Sequence, residues 1–383
     1  MLVKRALRLA VVGEAVTVSG RQPDLSVHLR AWSRIEGHEF RLAEEAGAGC
    51  AEIVRGPAVD QRWSGAERAG RADPQESGAV LDRPSQRWGL AARGALVEAG
   101  SPEFHFALTN KQEVWSGDAG RMYAHAAAAQ WDPATAAPWE AEFDLPDEVE
   151  DAVVQVMTYL IENETAALVI PSRFIAQMHP HFREVMQVLA VQAADEARHI
   201  EVFTRRAFLK RKELGLSTAG GQASLQTLVD EPNFATAAFL LSVLGEGTFL
   251  NLLWFLERYA PDPVTSAVCR LAAQDEARHV AFGMSHLREH LKASPSLAGT
   301  LMNSVRQRHE SLRHTAGLNA EVFDALVLLA AGSWDRAAIG RGHDAVSALV
   351  QEMHGGRKRR LLKLGFSDAD AEEMSTLHTR NFM

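Results

Sequence analysis

The stretch Ala193-Ala194-Asp195-Glu196-Ala197-Arg198-His199 returns as Ala273-Gln274-Asp275-Glu276-Ala277-Arg278-His279, so the word Asp-Glu-Ala-Arg-His is written twice in the chain. In each copy the Glu and the His stand at i and i+3. On an α-helix that spacing puts both side chains on one face, where a carboxylate and an imidazole can reach the same metal ion. The surrounding periodicity supplies the phase. Apolar positions run Val185, Leu189, Ala193 and then Phe203 about the first copy, and Val268, Ala272 and then Phe282 about the second. Glu196, His199, Glu276 and His279 continue these stripes and are expected to point inward, where an uncompensated charge is costly.

Working outward, the helix before each copy offers one more inward carboxylate. The stripes are Val153, Val156, Leu160, Glu164, Leu168 and Phe239, Val243, Glu246, Leu250, Leu253. Glu164 lies 32 residues before Glu196 and Glu246 lies 30 before Glu276, so the halves read as two copies of one helical hairpin. Glu162 rivals Glu164 but lies off the stripe. Four carboxylates and two imidazoles, with no thiolate, are hard ligands suited to two ferrous or manganous ions with carboxylates bridging them.

The long periodic helices are expected at 147–178, 182–214, 233–259 and 264–292. His179-Pro180-His181 and Ala260-Pro261-Asp262-Pro263 are short breaks that make antiparallel neighbours. The Gly-rich link 215–232 is the expected crossover. Flanking helices are expected at 295–316, 320–334, 336–354 and 367–380, with a leading one at 117–130. Residues 1–115 lack a helical period and show short strand-like runs at Leu9–Val12, Ala15–Val18 and Leu25–Leu29. This gives an irregular, partly β N-terminal region (1–115) and a helical domain (116–383) whose core bundle is 147–292. Six of the eight tryptophans fall in the first 140 residues, so the N-terminal region has large groups to bury.

With 46% apolar and 23% charged residues the chain has a globular composition. A net charge of -9 argues against nucleic acid or an anionic membrane as the main partner. The basic run Arg357-Lys358-Arg359-Arg360 with Lys363 reads as a solvated helix face. Cys50 and Cys269 stand alone, excluding a thiolate zinc site, an iron-sulfur cluster or a disulfide framework, and a reducing cytoplasm fits best. No export signal and no membrane span are expected. Phosphate-binding loops, dinucleotide fingerprints and nucleophile elbows are also missing from the sequence.

One Glu on each of two helices and Glu-x-x-His on each of the other two resembles the ferritin-like di-iron carboxylate proteins. The resemblance covers residues 147–292, and the paired Asp-Glu-x-Arg-His form looks most like oxygen-activating members such as bacterial multicomponent monooxygenase hydroxylases and ribonucleotide reductase small-subunit relatives. It implies a mostly α, ferritin-like four-helix bundle with flanking helices, and a metal pair, Fe/Fe or Mn/Fe, held by Glu164, Glu196, His199, Glu246, Glu276 and His279. It also implies dioxygen as co-substrate and electrons from an external ferredoxin or reductase. A ligating His donates its other N–H to a carboxylate, so the repeat's pseudo-twofold pairs Asp275 with His199 and Asp195 with His279, with Arg198 and Arg278 offsetting their charge.

The expected activity is an O2-dependent oxidation of a small organic molecule: hydroxylation, N-oxygenation or desaturation. Thr165, Phe203, Thr248, Phe249 and Phe282 are the expected pocket walls. Gly245 and Gly247 loosen the helix about Glu246, letting it change binding mode or sit at a bulge. Phe203 and Gly283 occupy the places where a radical tyrosine would be expected, so a radical-generating subunit is not expected. Some di-iron N-oxygenases carry an extra histidine ligand, for which His286 and His309 are the candidates. His309 and His314 otherwise belong to a polar face. Three alternatives stay open: a ferroxidase or peroxidase, a Mn/Fe oxidase, and a metal-free scaffold whose acids pair with arginines. A homodimer is expected from base rates.

Overall fold

The computed structural model describes residues 2–42, 50–58, 63–313 and 320–382, and the chain divides into two compact units, Met1–His105 and Phe106–Met383. The division precedes the 115/116 boundary read from the sequence. Leu108 pairs with Met178 as an isolated bridge, and Asn110 caps a short helix, α3 (Lys111–Val114), so this stretch already belongs to the second unit.

In the first unit, α1 (Leu2–Leu9), β1 (Ala15–Ser19), α2 (Leu25–Ile35), β2 (Glu39–Leu42) and β3 (Cys50–Val54) form a small α/β layer. The sheet is antiparallel in the order β1-β3-β2, and Ile53 faces both Val16 and Phe40. Ala51 and Ile53 alternate onto one face of β3, where they meet Leu7 and Leu29. Two expected strands are corrected. Leu25–Leu29 opens α2, because Leu25 and Leu29 at i and i+4 serve one helix face. Leu9 ends α1, and Val11 and Val12 stand exposed beyond it. A Cβ on Gly56 would lie 1.8 Å from the Gly37 carbonyl oxygen, so only glycine lets these two turns meet. A second ribbon pairs β4 (Glu67–Arg68) with β5 (Leu96–Val97).

The second unit is helical and has the ferritin-like fold. After α4 (Ala119–Ala128), the first hairpin is α5 (Asp147–Gln177) and α6 (Arg183–Ala207). Acids Asp147, Glu148 and Glu150 in the first turn of α5 complement its dipole. His179 caps the connecting turn by accepting from the His181 N–H. The link to the second hairpin, expected as a Gly-rich crossover, contains α7 (Ala219–Val229); Thr218 caps it by accepting from Gly221 N, so Gly220 and Gly221 sit in a first turn, while Gly215 precedes the helix.

The third bundle helix is composite: α8 (Phe234–Ala238), a π-helical segment Phe239–Glu246, and α9 (Gly247–Arg258). The fourth, α10 (Pro263–Ala293), starts with Pro263 at its first position behind an Asp262 cap. α11 (Leu297–Leu312), α12 (Ala320–Ala331), α13 (Arg336–Leu364) and α14 (Asp368–Phe382) flank the bundle. His314 lies outside the described residues.

α13 runs ten residues beyond its expected end, through Gly355, Gly356 and the basic run. That run is a solvated face only in part. Arg359 and Lys363 are exposed and Lys358 pairs with Asp368 and Glu372 at the surface, whereas Arg357 is fully buried and donates to Thr248 Oγ1 at 3.0 Å, and Arg360 donates to the Val243 carbonyl at 2.7 Å. Arg357 and Arg360 are drawn inward by polar groups on α9 and the π segment.

Two helices, Asp147–Gln177 and Phe234–Arg258, are long and apolar enough to cross a membrane by length and composition alone. Their apolar windows are 61% and 72% buried within the protein, so the bundle core accounts for that composition. α12 and α13 cross at Gly342, where a Cβ would lie 2.2 Å from the Val327 carbonyl oxygen and 3.0 Å from the Ala331 nitrogen. Both obstacles are backbone. Gly342→Ala is expected to destabilise the protein by about 1–3 kcal/mol despite alanine's better helix propensity. Urea unfolding measures this, and an unchanged midpoint would show that the two helices can separate.

Candidate metal centre

Glu164 comes from the middle of α5, Glu196 and His199 from α6, Glu246 from the end of the π segment, and Glu276 and His279 from α10. All six are buried, at 4% exposure or less. Each helix brings its group in on the apolar stripe: Glu164 follows Leu160 by one turn, and Glu276 follows Ala272. The two Asp-Glu-Ala-Arg-His copies meet across the bundle. His199 Nδ1 lies 3.1 Å from Glu196 Oε2, 3.5 Å from Glu164 Oε2 and 3.6 Å from Glu276 Oε1. His279 Nδ1 lies 3.1 Å from Glu196 Oε1 and 3.4 Å from Glu276 Oε2.

These atoms form two overlapping groups, Glu164–Glu196–His199–Glu276 and Glu196–Glu246–Glu276–His279, within each of which one ligand atom per residue lies within 4.8 Å of all the others. Glu196 and Glu276 belong to both. That is the arrangement two cations need if two carboxylates are to bridge them and one Glu and one His are to terminate each.

The opposite nitrogens point to the opposite copy. His199 Nε2 is 3.2 Å from Asp275 Oδ2, and His279 Nε2 is 3.1 Å from Asp195 Oδ2. A proton on each Nε2 bonds its Asp, and a cation among the acids would take the Nδ1 lone pair. Arg198 joins the pair of aspartates, 2.5 Å from Asp195 and 3.2 Å from Asp275; Arg278 pairs with Asp275 and lies 3.6 Å from Asp195. The residues just after α4 complete the arrangement. Gln130 Nε2 donates to Asp195 Oδ1 and Trp131 Nε1 to Asp275 Oδ2, both at 2.8 Å, while the Arg198 guanidinium lies over the Trp131 ring.

Without a cation the histidines carry the positive charge of the cluster: burial opposes their protonation, but the facing acids outweigh it and hold His199 and His279 well above the ordinary imidazole range. Burial and then the neighbouring acids, Glu196 for Glu164 and Glu276 for Glu246, push the Glu164 and Glu246 carboxyls well above their ordinary range. Glu276 is raised in the same way, by burial and then Glu196. Glu196 is held low: burial opposes its ionisation, but His279 and His199 outweigh it. Glu164 Oε1, Glu246 Oε2 and Glu276 Oε1 accept no hydrogen bond although they are buried. Orphaned carboxylate oxygens converging on one space are what cations would satisfy, so the residues fit a metal pair.

Gln192, one turn before Glu196, donates to Glu246 Oε1 at 2.7 Å. Its equivalent in the second copy is Ala272, so the pseudo-symmetry is broken at this position. The π segment displaces Glu246 from straight helical phase, and Arg360 bonds the Val243 carbonyl within it. A Cβ on Gly247 would meet Arg360 Nε at 2.4 Å, so a larger residue there would push that guanidinium aside.

Of the expected pocket residues, Thr248 and Phe249 line a cavity of about 100 Å³ that also touches Glu164, Glu246 and Glu276. The others are corrected. Thr165 is exposed and donates to the Ile161 carbonyl, being a full step around the helix from Glu164. Phe203 is fully buried against the His199 ring in the bundle core, and Phe282 stacks on His286, away from the cavity. Glu162 stands half-buried in the cavity wall and outside both acid groups. His286 contacts the Trp115 carbonyl and Phe234, and His309 the Leu377 carbonyl; neither joins the cluster.

The sequence reading missed Gln130, Trp131, Gln192, Arg308 and His378, the last two lining the cavity. Gln192 had a signal, since it shares the face of Glu196. Trp131 lies outside any periodic stripe and had none.

No family model matches the chain, and no curated protein matches it in sequence. Solved structures match its fold. A point mutant of an R2-like ligand-binding oxidase with an aerobically reconstituted Mn/Fe cofactor aligns at a TM-score of 0.51 and 15% identity, over 66% of this chain and 95% of that one. Another mutant of an R2-like ligand-binding oxidase, with an aerobically reconstituted Fe/Fe cofactor, aligns with the same score, identity and coverage.

Proposed function

We propose that the protein is a two-metal oxidase that uses dioxygen to oxidise a small organic molecule. The observation that carries this reading is the pair of overlapping acid and imidazole groups sharing Glu196 and Glu276, beside a cavity that reaches Glu164, Glu246 and Glu276. Glu164 and His199 would hold one ion, Glu246 and His279 the other, and Glu196 and Glu276 both. A bound Fe/Fe or Mn/Fe pair supplies redox electrons and a site for oxygen reduction. The matched R2-like oxidases carry Mn/Fe and Fe/Fe cofactors, which supports both compositions.

The chain's own residues do the rest. Asp195 and Asp275 fix the ring orientation of His279 and His199. Gln192 holds one oxygen of Glu246 and leaves the other toward the centre. Leu241, Phe249 and Leu252 exclude water from the cavity. An apolar cavity beside the acids favours an organic substrate over iron oxidation alone, and hydroxylation, N-oxygenation and desaturation all remain within this chemistry. We place the protein in a reducing cytoplasm, as a homodimer fed by a ferredoxin or reductase; Cys50 and Cys269 are both free thiols.

Rapid mixing of ferrous-loaded protein with oxygenated buffer tests the reading. The expected result is oxidation of bound iron that stops at about two per chain. Continued uptake and storage of added iron would favour a ferroxidase instead. Asp275→Ala, which strips His199 of its partner, is expected to lower metal affinity about 10–100-fold. Competition with a chelator measures it, and unchanged affinity would remove Asp275 from the account.

A further inference from the structure

The two halves of the centre are not built alike. Glu164 projects from the continuous α-helix α5, whereas Glu246 closes the π-helical segment Phe239–Glu246 and is followed at once by the α-helical α9. The flanking residues differ in the same sense, Asn163 and Thr165 against Gly245 and Gly247. A π segment carries one extra residue, so closing it to regular α-helix would turn one end against the other by about 100°. That turn is enough to take Glu246 off the face that meets Glu276 and His279. The return from i→i+5 to i→i+4 bonding also skips a backbone carbonyl. Near that return the Val243 carbonyl, on a fully buried residue, accepts from Arg360 Nε at 2.7 Å. The donor comes from α13, outside the four bundle helices. Its guanidinium fills the space of a side chain at Gly247, where a Cβ would lie 2.4 Å from Nε, 2.5 Å from Cζ and 2.7 Å from Nη2. Arg357 donates to Thr248 Oγ1 at 3.0 Å, so α13 grips both sides of the junction.

We propose that Arg360 is a positioning residue for one of the two ions: by bonding the Val243 carbonyl it holds the π register that presents Glu246 to Glu276 and His279, and Gly247 leaves the room it needs. Gln192 orients the carboxylate itself, through Glu246 Oε1. Arg360 acts one step earlier, on the backbone that carries the carboxylate. Glu164 needs no such support, because its helix keeps plain α phase. The ion held by Glu246 and His279 therefore depends on α13, and the ion held by Glu164 and His199 does not. The contact can be broken from either side. Removing the guanidinium takes away the donor, and a methyl group at position 247 pushes the donor aside while leaving its charge in the protein. This inference rests on the two-metal reading.

Titration of the full-length, metal-free protein with cobalt(II), followed by visible absorption and by ions bound per chain, tests this. The parent is expected to bind two ions. Arg360→Met, which keeps a long side chain and removes the donor, should bind the first ion like the parent and the second about 10–100-fold more weakly. Gly247→Ala should give the same split although alanine favours the helix, and Arg360→Lys, which can still donate, should fall between. Added to Glu246→Gln, Arg360→Met should have no further effect, since both act on one ion. Should Arg360→Met fail to fold, Gly247→Ala carries the same comparison. Two ions at parental affinity in Arg360→Met, equal weakening of both ions, or additive losses in the Glu246→Gln background would overturn the proposal and leave the two-metal reading standing. A parent that binds no cobalt would remove both.

Discussion

Glu196→Ala is expected to leave a folded protein that no longer loads metal. Glu196 belongs to both acid groups and lies within 3.1 Å of both histidine Nδ1 atoms, so its loss would take a carboxylate from both proposed ion sites at once. Metal affinity should fall by more than about 100-fold, beyond the roughly 10–100-fold expected from losing a hydrogen-bonding partner such as Asp275. The effect also reaches stability. A metal that binds only the folded state adds about 2.7 kcal/mol at 100-fold excess over its dissociation constant, so on the two-metal reading the parent's melting temperature should rise on metal addition. In Glu196→Ala that rise should vanish. A variant that bound as much metal as the parent would contradict the bridging role, and a parent whose melting ignored metal would favour the scaffold reading.

The largest purely structural effect is expected at Arg206. This fully buried guanidinium bonds both oxygens of Glu150, at 2.6 and 3.0 Å, and Asp262 Oδ2 at 2.8 Å, with Thr265 Oγ1 also accepting from its Nε at 2.8 Å. It ties the C-terminal end of α6 to the first turns of α5 and α10. Asp262 at the same time caps α10 by accepting from Thr265 N. Removing the arginine leaves two buried carboxylates uncompensated, so Arg206→Ala is expected to cost about 3–5 kcal/mol. The triple change Arg206→Met, Glu150→Gln and Asp262→Asn should recover much of it, since the penalty lies in the stranded charges rather than in a loss of net attraction. Urea unfolding of both proteins checks this; a loss below about 1 kcal/mol in the single variant would mean that water enters the site.

The two hairpins were legible in the sequence because their inward Glu and His residues share the phase of the apolar stripe, which also separates Glu164 from Glu162. The crossed aspartates were legible for a chemical reason: a histidine that faces a cation with one nitrogen needs a carboxylate on the other. What was hidden depends on long-range packing. Arg357 and Arg360 sit in a run that composition assigns to solvent, and only the approach of α13 to the π segment turns them inward. Trp131 and Gln130 reach Asp275 and Asp195 across 144 and 65 residues, with no local pattern to announce them. Thr165 was misplaced because adjacency to Glu164 in sequence is a 100° step on a helix. The N-terminal unit was the least legible, since a pair such as Leu25 and Leu29 serves a strand or a helix equally well until its neighbours are known.

The measurement that bears most directly on the central claim is iron and manganese content per chain of the purified parent protein, determined together before and after anaerobic reconstitution. About two ions per chain are expected, as Fe/Fe or Mn/Fe, with their loss in Glu196→Ala. A parent that takes up no metal under either condition would contradict it and leave the six converging side chains as a charged core without an ion.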